Sequence, residues 1–311
     1  MLAPIALFCF RRPDHLARVL TALAANHGAR DHDLIAFADG PRDGGDSESV
    51  AAVHRQLADW AGRGAFRSFT IHASQANRGL RVSVVSGVSR VIADSGAAIV
   101  IEDDLETSPW FLQFCDDGLR LYADEPSAAS IHGYCYPLGR PMPATFFLRG
   151  ADCWGWATWR RAWAVYEDDA GTLLARLRSA GLVRAFNHDG ARKLAGMLGD
   201  ARDGRIDSWA VRWHAAAFLA GMFTLYPGRS LVRNIGLDTS GTHGDDEVDD
   251  SLAVTPATDR PTVDRILVGE DPQAWAALRD YFRRTHSMGS RIGRVLRRLG
   301  RRKAVGRRAR V

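Results

Sequence analysis

The apolar run Ala97-Ala98-Ile99-Val100-Ile101 ends in three consecutive carboxylates, Glu102-Asp103-Asp104. Five residues of this kind read as a buried strand. Two carboxylates about 4 Å apart repel by roughly 1 kcal/mol in water and roughly 4 kcal/mol at an effective dielectric of 20. The cluster therefore calls for a protonated member or a cation, and a hard divalent metal with oxygen ligands is the natural one. Side chains alternate in an extended segment, so Glu102 and Asp104 point one way and Asp103 the other, leaving different carboxylates for a metal and for ligand hydroxyls. The alternative is a solvated turn leading into a helix that starts at Thr107-Ser108-Pro109.

The elements that must position these acids alternate in type. Ile5 to Phe10 reads as a buried strand, and a helix follows from about Asp14, with Leu16, Val19, Leu20 and Leu23 at helical spacing and a stop near Gly28. Leu34 to Ala38 is a second strand, Ser47 to Ala61 a helix, Phe66 to His72 a third strand, and Leu80 to Ala93 the helix before the acid-tipped strand. This order predicts a mostly parallel sheet with helices on both faces, whose ligands bind beyond the carboxyl ends of the strands. Polar residues collect at those ends: Arg11 and Arg12, Asp39, Asn77 and Arg78, then Glu102 to Asp104. Past Tyr122 the pattern loosens. Ala128 to Tyr134 and Thr145 to Leu148 read as strands, Trp154-Gly155-Trp156-Ala157-Thr158-Trp159 is an aromatic segment continued by Trp163, and a helix spans about Asp207 to Leu219 before a strand near Phe223 to Tyr226. Asn234 to Asp250, without periodicity, reads as a mobile loop.

The 311 residues suffice for one large or two small domains, and 46% hydrophobic with 25% charged residues is ordinary globular composition. No stretch approaches the roughly 20 apolar residues of a membrane span, and Met1 to Phe10 lacks a basic leader, so a cytoplasmic protein is expected. Cys9, Cys115, Cys135 and Cys153 are far apart and set among apolar or aromatic residues, which predicts buried reduced thiols rather than disulfides or a zinc site. The formal charge of +5 is uneven, because residues from Arg283 onward carry twelve Arg and Lys and no acid, leaving the body acidic.

Taken together, the strand-one arginines, Asp39, the Asn77-Arg78-Gly79 loop, Glu102-Asp103-Asp104, the tryptophan segment and the late Gly236 to His243 stretch resemble a GT-A fold glycosyltransferase. The similarity is to bacterial family 2 type sugar transferases and to N-acetylglucosaminyltransferase I type enzymes, and it covers roughly residues 3 to 245. It implies a GT-A, Rossmann-like α/β fold with a donor-binding half over 1–125, an acceptor-binding and catalytic half over 126–265, and a C-terminal helix with a basic tail over 266–311. It implies a nucleoside diphosphate sugar as donor and a glycan or lipid-linked acceptor. Asp104 would bind Mn2+ or Mg2+, with Glu102 and Asp103 supporting sugar or ribose, Asp39 accepting from the nucleobase, and Arg11 or Arg78 facing ribose or phosphate. An inverting transferase needs a general base. Asp207 is similar to that base, Asp200 and Asp203 are fallbacks, and the helix N-cap is the competing role for Asp207. The motif departs from a double acid in having Ser208 next.

On the sugar side, Gly155 and Trp156 are expected to line the pocket, Trp209 to lie near the sugar, Asp152 to accept from a hydroxyl, and His243 to serve a closing lid, while Trp159 and Trp163 pack inward. The acids from Asp245 to Asp250 lack the alternation of an EF-hand. Ile292, Val295, Leu296 and Leu299 fall at helical spacing among arginines, so 289–303 reads as a short amphipathic helix. An anionic membrane surface would attract residues 289–311 by about 1 kcal/mol per basic residue, placing the protein on the inner face of the plasma membrane. The alternatives are a solvated tail or nucleic-acid binding, the last disfavoured by the absence of interleaved aromatics. Two other functions compete: a noncatalytic glycan-binding scaffold, and a sugar nucleotidyltransferase, against which the glycine-free Cys9-Phe10-Arg11-Arg12-Pro13 counts.

Overall fold

The computed structural model describes residues 2–237 and 250–285; His243 and the basic tail lie outside them. The first half is the expected alternation: β1 (Ile5–Cys9), α1 (Pro13–Ala24), β2 (Asp33–Ala38), α2 (Ser47–Ala61), β3 (Ser68–Ala73), α3 (Leu80–Ser95) and β4 (Ala97–Glu102). Next come β5 (Leu105–Thr107), α4 (Phe111–Leu121), β6 (Ala128–His132), β7 (Thr145–Arg149) and β8 (Trp156–Trp159). A helical segment follows, α5 (Arg160–Trp163), α6 (Ala170–Ser179), α7 (Val183–Phe186), α8 (Leu194–Arg202) and α9 (Trp209–Leu219), and the chain closes with β9 (Phe223–Pro227), β10 (Val232–Asn234) and α10 (Pro272–Thr285).

Eight strands form one mixed sheet in the order β3-β2-β1-β4-β8-β6-β9-β7. The β1–β2, β2–β3, β1–β4 and β6–β9 pairs are parallel, and β8 is antiparallel to both β4 and β6. The antiparallel insertion of β8 has a simple consequence: β4, β6 and β9 all end at one edge of the sheet, and the residues preceding β8 emerge there too. Right-handed crossovers place α1 and α2 on one face and α3 on the other. The core is continuous along β1 and β4, where Ile5, Leu7, Ile99 and Ile101 have no exposed surface, each side chain contributing about 1.5–3 kcal/mol by burial. Smaller clusters join α6, α8 and α9, and pack α10 onto β7 through Phe146, Leu278 and Phe282.

Three local expectations shift. Thr107-Ser108-Pro109 does not start a helix; Leu105–Thr107 instead pairs with β10, and α4 begins only at Phe111. The tryptophan segment becomes β8. The cap of α9 is Ser208, whose hydroxyl accepts from Val211 N, so Asp207 lies one residue outside the cap.

His32 ties the start of β2 to α4. It is fully buried, with Nδ1 2.9 Å from the Ala3 carbonyl and Nε2 3.0 Å from Asp116. Two acceptors require both ring nitrogens to donate, hence an imidazolium. Burial alone would lower its pKa, but the Asp116 bond and charge and the Ala3 carbonyl outweigh it and the pKa is raised. A raised histidine stabilises fully below its unfolded pKa of about 6.5 and loses that contribution as pH rises through the folded value. Urea midpoints should therefore fall between about pH 6 and pH 9, and Asp116→Asn should flatten that part of the profile.

Candidate active site

The acids at the end of β4 stand beside the turn that leaves β1. Register places Phe8 opposite Glu102, and the Asp103 N–H donates to the Phe8 carbonyl. Pro13 opens α1 at a position that needs no N–H donor, so Arg12 sits just ahead of the helix. Its guanidinium reaches back to Asp103 and, at 3.1 Å, to Asp104. The other Asp103 oxygen accepts from Phe10 N at 3.0 Å. Asp103 is thus buried and used by the protein's own β1 turn, which corrects its expected role beside sugar or ribose. The expected alternation holds, with Asp103 turned inward and its two neighbours more open.

The Glu102 carboxyl group has no hydrogen bond among the described residues. Burial first, then the charges of Asp104 and Asp103, push its carboxyl up to about 8, with Arg12 opposing. Burial likewise raises Asp103 despite Arg12. Over the cluster passes the end of the β10 strand: Ile235 N donates to the Asp104 carbonyl, and a β-carbon at Gly236 would lie 2.5 Å from Asp104 Oδ2 and 2.8 Å from Arg12 Nη1. Only glycine lets the backbone approach this closely.

Asp39, at the end of β2, takes a different task from the expected contact with a base. Its Oδ1 accepts from Gly40 N and Arg78 N and its Oδ2 from Asn77 Nδ2 and Gly79 N, all between 2.8 and 3.1 Å. A carboxylate offers about four acceptor positions, and the 77–79 loop uses them. Arg78 is left facing a groove of about 290 Å3 between the sheet and α3, lined by Phe37, His72, Ser74, Ser83 and Arg90. Arg11 folds over Phe10 and pairs with Asp46 at 2.7 Å.

Asp207 is exposed and ion-paired with Arg81 at 2.5 Å; the same guanidinium holds Asp168, also at 2.5 Å. Because α3 follows β3 and runs back along the sheet, Arg81 in its first turn lies toward the carboxyl edge. Asp200 and Asp203 pair with Arg205.

The tryptophans mostly leave the site. Trp156 has no exposed surface and packs against Trp163, Trp209 and Trp213, with ring centroids 5.6–5.9 Å apart. Trp209 is also buried, and Gly155 is wedged against Val232 and Phe111. All three were expected in the sugar pocket and are core, because β8 is a central strand covered on both faces. Trp159 and Trp163 pack inward as the sequence suggested. Trp154, one step earlier, stays partly open against Tyr134, and its backbone N–H donates to His132 Nε2.

Asp152 joins the acids' edge from the second half of the sheet. Its Oδ2 accepts from Tyr136 OH at 3.0 Å and Tyr226 OH at 2.9 Å. Burial opposes ionisation, but His132, His214, Arg192 and the Tyr226 hydroxyl hold the carboxyl at about 2. Cys153 links the two groups: burial, then the charges of Glu102, Asp152 and Asp104, raise its thiol well above the usual range. Two features escaped the sequence reading. Arg12 was legible at a strand end, but its neighbour Arg11 was preferred; the His132, Tyr136, His214 and Tyr226 group comes from three separate segments: β6 with the loop after it, α9 and β9.

No family model and no curated protein sequence matches this chain. Crystal structures of S. aureus TarS overlap part of it. The 1–349 form gives a TM-score of 0.35 at 10% identity over 53% of this chain and 48% of that one. Full TarS gives 0.34 at 10% over 53% and 29%, and the 1–349 form in complex with UDP gives 0.33 at 10% over 57% and 49%. This chain thus spans less than half the length of each. An overlap at that score and identity leaves substrate and chemistry to be argued from the site itself.

Removing one partner of a buried charge pair costs about 3–5 kcal/mol. Arg12→Ala should therefore lower stability in urea unfolding by about that much near pH 7, and Asp103→Asn in the same chain should recover most of it.

Proposed function

We propose that this protein is a metal-dependent, inverting glycosyltransferase that moves a sugar from a nucleoside diphosphate sugar to a hydroxyl of a glycan or lipid-linked acceptor. One observation supports this most: three adjacent carboxylates at the carboxyl edge of a mostly parallel sheet have only Arg12 as a hydrogen-bonded cation among the described residues. Such an edge is where ligands of open α/β sheets bind.

The donor set suits a hard cation. Asp104 would hold Mn2+ or Mg2+, and among the described residues no three His, Cys, Asp or Glu side chains converge as a closed cage. A small hard cation commonly takes one or two protein carboxylates and completes its shell with substrate phosphates and water. Bound there, it would supply Lewis-acid stabilisation for the charge that grows on the leaving diphosphate. The chain's own residues do the rest. Arg12 keeps Asp103 inward and fixes the backbone from which Asp104 projects. Glu102 offers an open carboxyl to a sugar or ribose hydroxyl. Arg78 and the groove beside Phe37 and His72 would take the nucleoside end, and Arg11 would face ribose or phosphate. Asp207 would accept the acceptor hydroxyl's proton once the acceptor displaces it from Arg81. The 289–311 segment would hold the enzyme at an anionic membrane surface near a lipid-linked acceptor.

Isothermal titration with nucleoside diphosphates and their sugar conjugates, each with Mn2+ and with EDTA, tests this. Wild-type protein should bind at least one member only with Mn2+, and Asp104→Ala should weaken that binding by about tenfold or more while circular dichroism stays unchanged. A folded wild-type protein that binds none of them would overturn the reading.

A further inference from the structure

Asp207 shares its cation with a second acid, and the two acids are held very differently. Arg81, in the first turn of α3, donates from Nε to Asp207 Oδ1 and from Nη1 to Asp168 Oδ2, both at 2.5 Å. Exposure does not separate the two carboxylates, at 58% for Asp207 and 52% for Asp168. Anchoring does. The other Asp168 oxygen accepts from the Tyr166 hydroxyl at 3.1 Å, and the Tyr166 ring is stacked on Trp163 with centroids 4.7 Å apart. Burial first, then the Asp168 charge, raise the Tyr166 hydroxyl, so it stays a donor at neutral pH. Arg212, only 6% exposed, donates from Nε to the Asp168 carbonyl at 2.8 Å and from Nη1 to the Ser208 carbonyl at 2.7 Å. A buried guanidinium thus fixes the backbone of Asp168 and of the residue that follows Asp207. The Asp207 side chain itself has one partner, Arg81, and its Oδ2 accepts from no group among the described residues.

Charge gives this asymmetry a consequence. One guanidinium with two carboxylates carries a net negative charge, whereas with one it is neutral. A carboxylate alone against a full cation is held in its charged form and accepts a proton poorly, because an opposite charge nearby favours ionisation. A second carboxylate on the same guanidinium removes much of that penalty. The planar fork also lets Arg81 stay on Asp168 while Asp207 turns to another donor. The charged and titratable groups around Asp207 are Arg81 from α3, Asp168 and Tyr166 from the segment before α6, and Arg212 from α9, while Asp200 and Asp203 at the end of α8 are taken by Arg205.

We propose that Asp168 and Arg81 are positioning residues that aim Asp207 and keep it a competent base, Asp168 being the lasting partner of the guanidinium and Asp207 the exchangeable one. The assignment rests on the glycosyltransferase reading, which supplies Asp207 as the base. In the step it serves, the acceptor oxygen bonds to the anomeric carbon. The bond from that carbon to the diphosphate oxygen breaks, its electron pair leaves with the diphosphate, and the acceptor proton passes to Asp207. Arg81 and Asp168 neither gain nor lose a proton.

The test follows hydrolysis of UDP-glucose, UDP-galactose, UDP-N-acetylglucosamine and GDP-mannose by the full chain with Mn2+, water serving as acceptor, from about pH 5 to pH 9. Wild-type protein should hydrolyse at least one of them, with kcat rising along an acidic limb. Asp168→Asn, which keeps the shape of the side chain, should lower kcat by about tenfold with KM for the donor changed by less than about twofold. It should also move the acidic limb to lower pH, because Arg81 then acts on Asp207 alone, and Arg81→Gln should move it to higher pH. A purely structural role would lower kcat and leave the limb in place. Unmoved limbs or unchanged kcat in folded variants would therefore overturn the proposal. Wild-type protein that binds a donor without hydrolysing it would overturn it too and leave the donor site standing, whereas wild-type protein that binds no donor would overturn the underlying reading and this proposal together.

Discussion

The sheet ends in more negative charge than a protein interior tolerates, and one guanidinium makes that possible. Arg12 bridges Asp103 and Asp104 with the fork geometry that a lysine lacks. Much else follows from that contact. The chain must turn sharply after β1 so that the arginine comes just before α1, the Phe10 N–H must point at Asp103, and the late Gly236 must have no side chain. The arrangement leaves the Glu102 carboxyl without an ion-pair partner among the described residues, and burial with its acidic neighbours pushes it up to about 8.

The two walls of the edge differ in their electrostatics. On the β1 to β4 side arginines and acids dominate. On the β6 to β9 side burial strips charge from the histidines, and the carboxylate that persists is held by phenol hydroxyls.

The first half of the fold was legible because its strands are continuous apolar runs and its helices carry strict 3.6-residue spacing. The pairing of β8 between β4 and β6 was not, since nothing in Trp156-Ala157-Thr158-Trp159 names its neighbours, and the same ignorance put Gly155, Trp156 and Trp209 in a pocket. Asp39 shows a second limit. A carboxylate at a strand end looks the same in sequence whether it faces a ligand or the N–H groups of its own loop. The acid cluster could be located at a strand end from the sequence because an apolar run stops there in three consecutive carboxylates.

The threading of Ile235 and Gly236 over Asp104 also bears on how the protein comes into being. The acids and the strand that covers them are about 130 positions apart in the chain, and β8, β6 and β9 must be placed in between. Contacts of such long range form late, after the loop-closure entropy of everything between has been overcome. During synthesis the Glu102 to Asp104 cluster therefore stays open to solvent until the chain past residue 236 has left the ribosome. The cover over the acids thus arrives after every strand of the large sheet has been made.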